Sequence, residues 1–208
     1  MEKKIIEFIG GPIGVNSYLV IDVETKEAAI IDPGFFDNRI EKAIKENELN
    51  LKYIILTHGH GDHIGGVPAM LDKYDDLLIV AHKDEAAMLK DGEINCSRQM
   101  FGKAIELEAD IWVEEADSLK LGELELKFIH TPGHSNGGMC ILLDDVLFSG
   151  DTLFRMSIGR TDFPQGSMAK IMKSIKEKLF KLPDNTKVYP GHMDSTDIGH
   201  EKRNNPFV

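Results

Sequence analysis

The sequence predicts an α/β sandwich. Three observations predict it: short β-type runs recur along the chain, helical periodicity appears between them, and no linker, low-complexity tract or repeat separates the halves. The expected strands of the first half are Ile5 to Ile9, Tyr18 to Asp22, Ala28 to Asp32, Tyr53 to Thr57 and Leu77 to Ala81. Those of the second are Leu124 to His130, Gly138 to Leu143, Val146 to Ser149 and Lys187 to Tyr189. Each is bounded by Gly, Pro, Asp or Asn, which favour turns over continued pairing. Helices are expected where Ile40, Ala43 and Ile44 follow the capping residues Asp37 and Asn38, and where Ile171, Ile175 and Leu179 follow Ser167. Two more are expected over Ile64 to Tyr74 and Lys83 to Lys90, with Trp112 and the Met-rich helix from Met168 in the core. A chain of 208 residues is long enough to bury its own core, and one domain over 1–208 is expected.

Composition narrows the function. The hydrophobic fraction of 42% and charged fraction of 28% are those of an ordinary globular protein, while a net charge of −11 repels phosphate backbones and anionic lipid. Neither a nucleic-acid nor a membrane partner is expected, and no stretch approaches a membrane span. The run after Lys3 and Lys4 is too short and interrupted for a secretory signal. Cys96 and Cys140 form no CxxC pattern, so reduced thiols and a cytoplasmic location are expected. The sequence assigns no oligomeric state.

The chemistry concentrates in Thr57-His58-Gly59-His60-Gly61-Asp62-His63, directly after an apolar run. Three imidazoles and a carboxylate with no thiolate suit divalent zinc, iron or manganese rather than a closed structural zinc site. Four ligands so close strain a single tetrahedral ion that must also keep a position open, so this loop is expected to serve two ions with help from elsewhere. Three later segments supply it: His134 in His130-Thr131-Pro132-Gly133-His134, Asp151 in Phe148-Ser149-Gly150-Asp151-Thr152, and His192 in Val188-Tyr189-Pro190-Gly191-His192. Each follows an apolar strand, and loops at strand ends are where sites gather on α/β scaffolds. His82 and His200 read as surface residues and His130 as a packing residue. Gly10 to Gly14 lacks the Lys-Ser/Thr of a nucleotide loop and reads as a turn.

With these residues in place, the chain resembles the metallo-β-lactamase superfamily, whose pattern is HxHxDH followed by separated His, Asp and His ligands. The likeness runs from the Gly11 region through Ile31-Asp32-Pro33-Gly34 to His192. It implies an αβ/βα four-layer sandwich of two mixed sheets with outer helices and metals at one edge. It further implies that His58, His60 and His134 bind a first ion, that Asp62, His63 and His192 bind a second, and that Asp151 bridges them. The expected cofactor is two divalent ions, zinc first with iron or manganese as alternatives, sharing an oxygen that acts as the nucleophile. Asp62, as ligand and water orienter, and Asp151 are then the catalytic carboxylates.

Within the superfamily the chain is most similar to short glyoxalase II proteins, which hydrolyse hydroxyacyl-glutathione thioesters. The likeness rests on Gly14 to Val20, Asp32 to Gly34, Gly150 to Phe154 and Ser157 to Asp162. A small-molecule thioester is the expected substrate, with Arg160 as the candidate grip on its carboxylate and a pair with Asp162 as that residue's other reading. Full-length members carry a C-terminal helical region that contacts glutathione. Here only Asp197 to Val208 remain, which admits another thiol carrier or a lactone. Two rivals stand beside this reading. One is a persulfide dioxygenase with a single iron on His58, His134 and Asp151, and the other is a non-enzymatic metal-binding protein on the same fold.

Overall fold

In a computed structural model of the chain, which describes residues 2–208, the first half comprises β1 (Lys3–Gly10), β2 (Val15–Asp22), β3 (Glu27–Ile31), α1 (Asn38–Glu46), β4 (Asn50–Ile55), α2 (Gly61–Ile64), α3 (Val67–Leu71), β5 (Leu78–His82), α4 (Ala86–Leu89), α5 (Ser97–Phe101) and β6 (Ile111–Val113). The second comprises β7 (Ser118–Leu121), β8 (Leu124–His130), β9 (Met139–Leu143), β10 (Val146–Gly150), β11 (Leu153–Phe154), β12 (Ser157–Ile158), α6 (Met168–Glu177), β13 (Lys187–Pro190), β14 (Thr196–Asp197) and α7 (Ile198–Asn204).

The strands form two six-stranded mixed sheets and one small hairpin. The first sheet runs β1-β2-β3-β4-β5-β6, antiparallel up to β3 and parallel beyond it. The second runs β14-β13-β10-β9-β8-β7, with the β10–β13 pair parallel. A strand covered on both faces needs apolar residues of both parities, and β2, β3 and β4 have them. Tyr18, Val20, Ala29, Ile31 and Ile55 face inward against Leu126, Phe128, Ile141 and Phe148 of the second sheet. The alternate residues Leu19, Ile21, Ala28, Ile30 and Ile54 meet Ile40 and Ile44 of α1 and Val67 and Met70 of α3. On the far side, Cys140, Leu147 and Val188 pack on Ile171 and Ile175 of α6. Helix, sheet, sheet and helix therefore follow in four layers, as the resemblance implies. No helix among the described residues is long and apolar enough to cross a membrane.

Both predicted helix caps form: Asp37 accepts from the Arg39 amide and Ser167 from the Lys170 amide. Other details differ from expectation. The helix expected over 64–74 is two short helices, because at Gly65 and Gly66 the chain presses against the Pro33–Phe35 loop, with the Gly66 amide donating to Pro33 O at 2.8 Å. The helix expected over 83–90 opens with a 3-10 turn at Lys83–Glu85 and ends with α4. Met168 is exposed at the start of α6, beside exposed Ala169 and Lys170, and Trp112 is only partly buried against the outer core. His82 is a larger correction. It is buried and its ring stacks on His130 at 3.9 Å, so the ends of β5 and β8 meet at the rim of the sandwich.

Candidate metal centre

Seven sequence-predicted ligands lie on four loops, all at one edge of the sandwich. His58 and His60 leave the end of β4, Asp62 and His63 open α2, His134 follows β8, Asp151 follows β10 and His192 follows β13. Hydrogen bonds from the opposite sheet fix the last loop: Tyr18 Oη donates to Pro190 O at 2.7 Å, and Asn16 Nδ2 donates to Met193 O at 2.8 Å.

Ligand atoms lie close together in two triads of these residues, His58-His60-His134 and Asp62-His63-His192, and His58 and His63 also form a close group with Asp32. In the first, His60 Nδ1 faces His134 Nε2 at 2.9 Å. In the second, Asp62 Oδ2 lies 3.0 Å from His192 Nε2 and 3.5 Å from His63 Nε2. Asp151 stands between them, with Oδ1 3.3 Å from His63 Nε2 and Oδ2 3.5 Å from His134 Nε2.

Whether these residues suit a metal is decided by their unused atoms. The Nε2 atoms of His58, His60 and His63 and Oδ1 of Asp151 are buried with no hydrogen-bond partner, which is costly unless something else pairs them. The opposite ring nitrogens are engaged. His63 Nδ1 donates to Asp32 Oδ2 at 2.9 Å, His134 Nδ1 to Arg160 O at 2.7 Å, and His192 Nδ1 to Gly14 O at 3.3 Å. Thr57 Oγ1 spends its only proton on Asp32, at 2.5 Å, so it accepts from His58 Nδ1 at 3.1 Å. Four imidazoles are thus held by one nitrogen with the other aimed inward, the arrangement metal-ligating histidines adopt. The donor set fits divalent ions.

Charge divides the site. Burial, with the neighbouring imidazoles, holds His58 well below its ordinary pKa and pushes His60 down to about 3, so these two offer neutral lone pairs. Burial alone would lower His63 too, but Asp62, Asp151 and Asp32 outweigh it and hold it well above its ordinary value. His192 is raised against burial by Asp62 and Asp151. Burial would raise both Asp62 and Asp151, yet His63 and its fellow imidazoles hold them below the usual carboxylate range. The second triad therefore draws positive charge.

The triads open onto a cleft of about 470 Å³ whose walls include Ile13, Met100, Phe154, Ile158, Phe163 and Met193. Arg160 lies at the rim, paired with Asp162 at 2.8 Å and stacked over Phe163 at 4.3 Å. Cys96 also lines the cleft, but burial and the Asp62 charge raise its pKa, so it is not an activated thiolate.

Sequence reasoning gave no role to two buried carboxylates behind the site. Asp32 binds Thr57 and His63 together; its position in Asp32-Pro33-Gly34 at a strand end was the available signal. Glu85 had none, since it lies within the helix expected over Lys83 to Lys90 and in no motif. It is inaccessible to solvent, Ser135 donates its hydroxyl to Oε1, and burial pushes its pKa up to about 7. Between the ordinary 4.5 and about 7 the folded state holds a proton that the unfolded state has released, so this group's contribution to stability falls as pH rises through that window. In Glu85→Gln, urea midpoints of the metal-free protein on either side of the window are expected to differ less than in the wild type.

Comparison with known proteins agrees with the geometry. The family pattern described as "Metallo-beta-lactamase superfamily" matches residues 10–192. "Hydroxyacylglutathione hydrolase GloC" of Haemophilus influenzae is 36% identical over 196 residues, covering 93% of this chain and 92% of that protein. Among solved structures, the BLEG-1 B3 metallo-beta-lactamase superposes with a TM-score of 0.90 at 37% identity, covering 98% of this chain and 99% of the other. TTHA1623, solved in a di-iron-bound form, superposes with a TM-score of 0.85 at 32% identity, covering 98% and 100%. A family pattern that spans the ligand loops from first to last, on a fold shared end to end with solved members, establishes that this chain belongs to the metallo-beta-lactamase superfamily.

Proposed function

We propose that the protein is a dinuclear metal-dependent hydrolase acting on a small-molecule thioester, with hydroxyacyl-glutathiones as the first class to assay. The observation that carries this is Asp151, a single carboxylate within reach of both triads. In our reading His58, His60 and His134 hold one ion, Asp62, His63 and His192 hold the other, and Asp151 joins them. Two divalent ions, zinc first with iron or manganese as alternatives, would supply Lewis acidity toward the carbonyl oxygen and acidify water.

The chain supplies the rest. Asp62 and Asp151 stay ionised among the imidazoles, so at neutral pH each accepts a hydrogen bond from water at the site. Asp62 orients that water toward the thioester carbonyl; the C–O bond forms, the C–S bond breaks and the thiol leaves with a proton. Ile13, Phe154, Phe163 and Met193 cover the apolar parts of the substrate and exclude bulk water. Two free cysteines accord with a reducing compartment, and we place the protein in the cytoplasm.

Arg160 is proposed as the contact for a substrate carboxylate. Its pair with Asp162 is exposed on both sides and screened by solvent, so the guanidinium is readily shared. Arg160→Ala is expected to raise KM for a carboxylate-bearing thioester about tenfold with kcat little changed. An unchanged KM would remove Arg160 from the binding site.

The functional test is thiol release from a hydroxyacyl-glutathione, beside oxygen uptake with a persulfide. The hydrolase reading expects release of thiol that chelation stops and zinc restores. Oxygen uptake without thiol release would support the iron dioxygenase instead, since His58, His134 and Asp151 also lie together. Metal binding with neither activity would leave a non-enzymatic metal-binding protein.

A further inference from the structure

Glu85 lies outside both triads, and the chemistry above does not use it. It ends the 3-10 turn Lys83–Glu85, and α4, which packs on Gly59, follows it directly. Ser135, next to His134, donates to its Oε1. Its other carboxyl oxygen, Oε2, is buried without a hydrogen-bond partner, so Ser135 is the donor bonded to the group among the described residues. The fit is tight on each side: a Cβ on Gly137 would lie 2.8 Å from Glu85 Cγ, and one on Gly59 3.1 Å from Met88 Cγ of α4. A carboxyl group shut away from water is costly unless a donor pairs it, and the donor here, Ser135, comes from the segment that carries His134.

We propose that Glu85 is a positioning residue for the first metal site: its carboxyl group holds the His134 loop through Ser135 while α4, which follows it directly, packs on Gly59 of the His58–His60 loop, so that this segment sets the spacing of the three imidazoles. The contact acts through the backbone beside the ligands. His130 supports the same loop from the other end, donating from Nε2 to Asn136 O at 2.9 Å while stacked on His82. Groups that orient metal ligands from behind typically change affinity by roughly 10- to 100-fold. The inference rests on reading His58, His60 and His134 as one metal site.

The test uses the full chain, stripped of metal and titrated with zinc alone against a chelating indicator, with cobalt as a spectroscopic probe. Wild type is expected to bind two ions. Glu85→Met, which keeps bulk but removes the acceptor, is expected to weaken one of them about 10- to 100-fold, leave the other unchanged and alter the cobalt spectrum. Glu85→Gln keeps an acceptor for Ser135 and is expected to recover most of that affinity, which a purely space-filling role would not require. A folded Glu85→Met protein with wild-type titration and cobalt spectrum overturns the proposal. Should that variant fail to fold, Ser135→Ala decides: weakening of one site supports the proposal, and wild-type titration overturns it. A wild type that takes up no zinc overturns the metal reading and this inference with it, whereas two ions held equally by wild type and variants overturn this inference alone.

Discussion

Asp151→Ala is expected to lower kcat/KM for thioester hydrolysis by more than about a hundredfold, because even the groups behind metal ligands are worth roughly 10 to 100. Asp151 sits at the end of β10, where the left-handed φ of 49° at Gly150 turns the chain toward the other loops. Its Oδ1 is buried and unpartnered, and its two oxygens reach His63 on one side and His134 on the other. Removing it takes a shared group from both triads at once. It also removes one of the three carboxylates that raise His63 against burial, leaving a less attractive site for a cation. Asp151→Asn keeps the shape but not the charge and is expected to fall between. Thiol release and metal content, measured on variants with wild-type circular dichroism, check this; full turnover in Asp151→Ala would dismiss the assigned site.

Gly159→Ala is expected to show a large effect from a single methyl group. A Cβ at Gly159 would overlap the carbonyl oxygen of Asp151 and lie 2.9 Å from its carbonyl carbon and 3.3 Å from His134 Nδ1. Backbone cannot step aside as a flexible side chain can, so the strain falls on Asp151 and on Arg160 O, the acceptor that orients His134. Overpacking of this kind costs up to about 3 kcal/mol, roughly 6 to 12 °C in Tm for a chain of this size. Both Tm and turnover should fall. Unchanged values would mean that the 151–160 loop moves freely, and that His134 does not depend on it.

The sandwich was legible because β2, β3 and β4 are apolar at both parities, a pattern only a doubly covered strand needs. Strand β8 was expected over the residues it occupies. The elements that were missed are short or polar. Strand β6 has three residues, β11 and β12 have two each, and β7 alternates exposed residues with half-buried Leu119 and buried Leu121 at a sheet edge. Helix α7 reads as a charged tail, yet Glu201 within it is buried, accepting from Thr196 Oγ1 at 2.6 Å and from the Met156 amide at 2.9 Å. The ligands announced themselves by residue type and by their places after strands. Asp32 and Glu85 act at one remove, through partners as much as 50 positions away in the chain, and no local pattern marks such a contact.

Counting metal ions per chain by mass spectrometry, as chelator removes them and zinc restores them, tests the central claim most directly when turnover is followed in the same samples. The account expects two ions per chain at full occupancy, with thioester turnover lost and regained in step with them. One iron per chain, with oxygen consumed on a persulfide and no thiol released from a thioester, would contradict it.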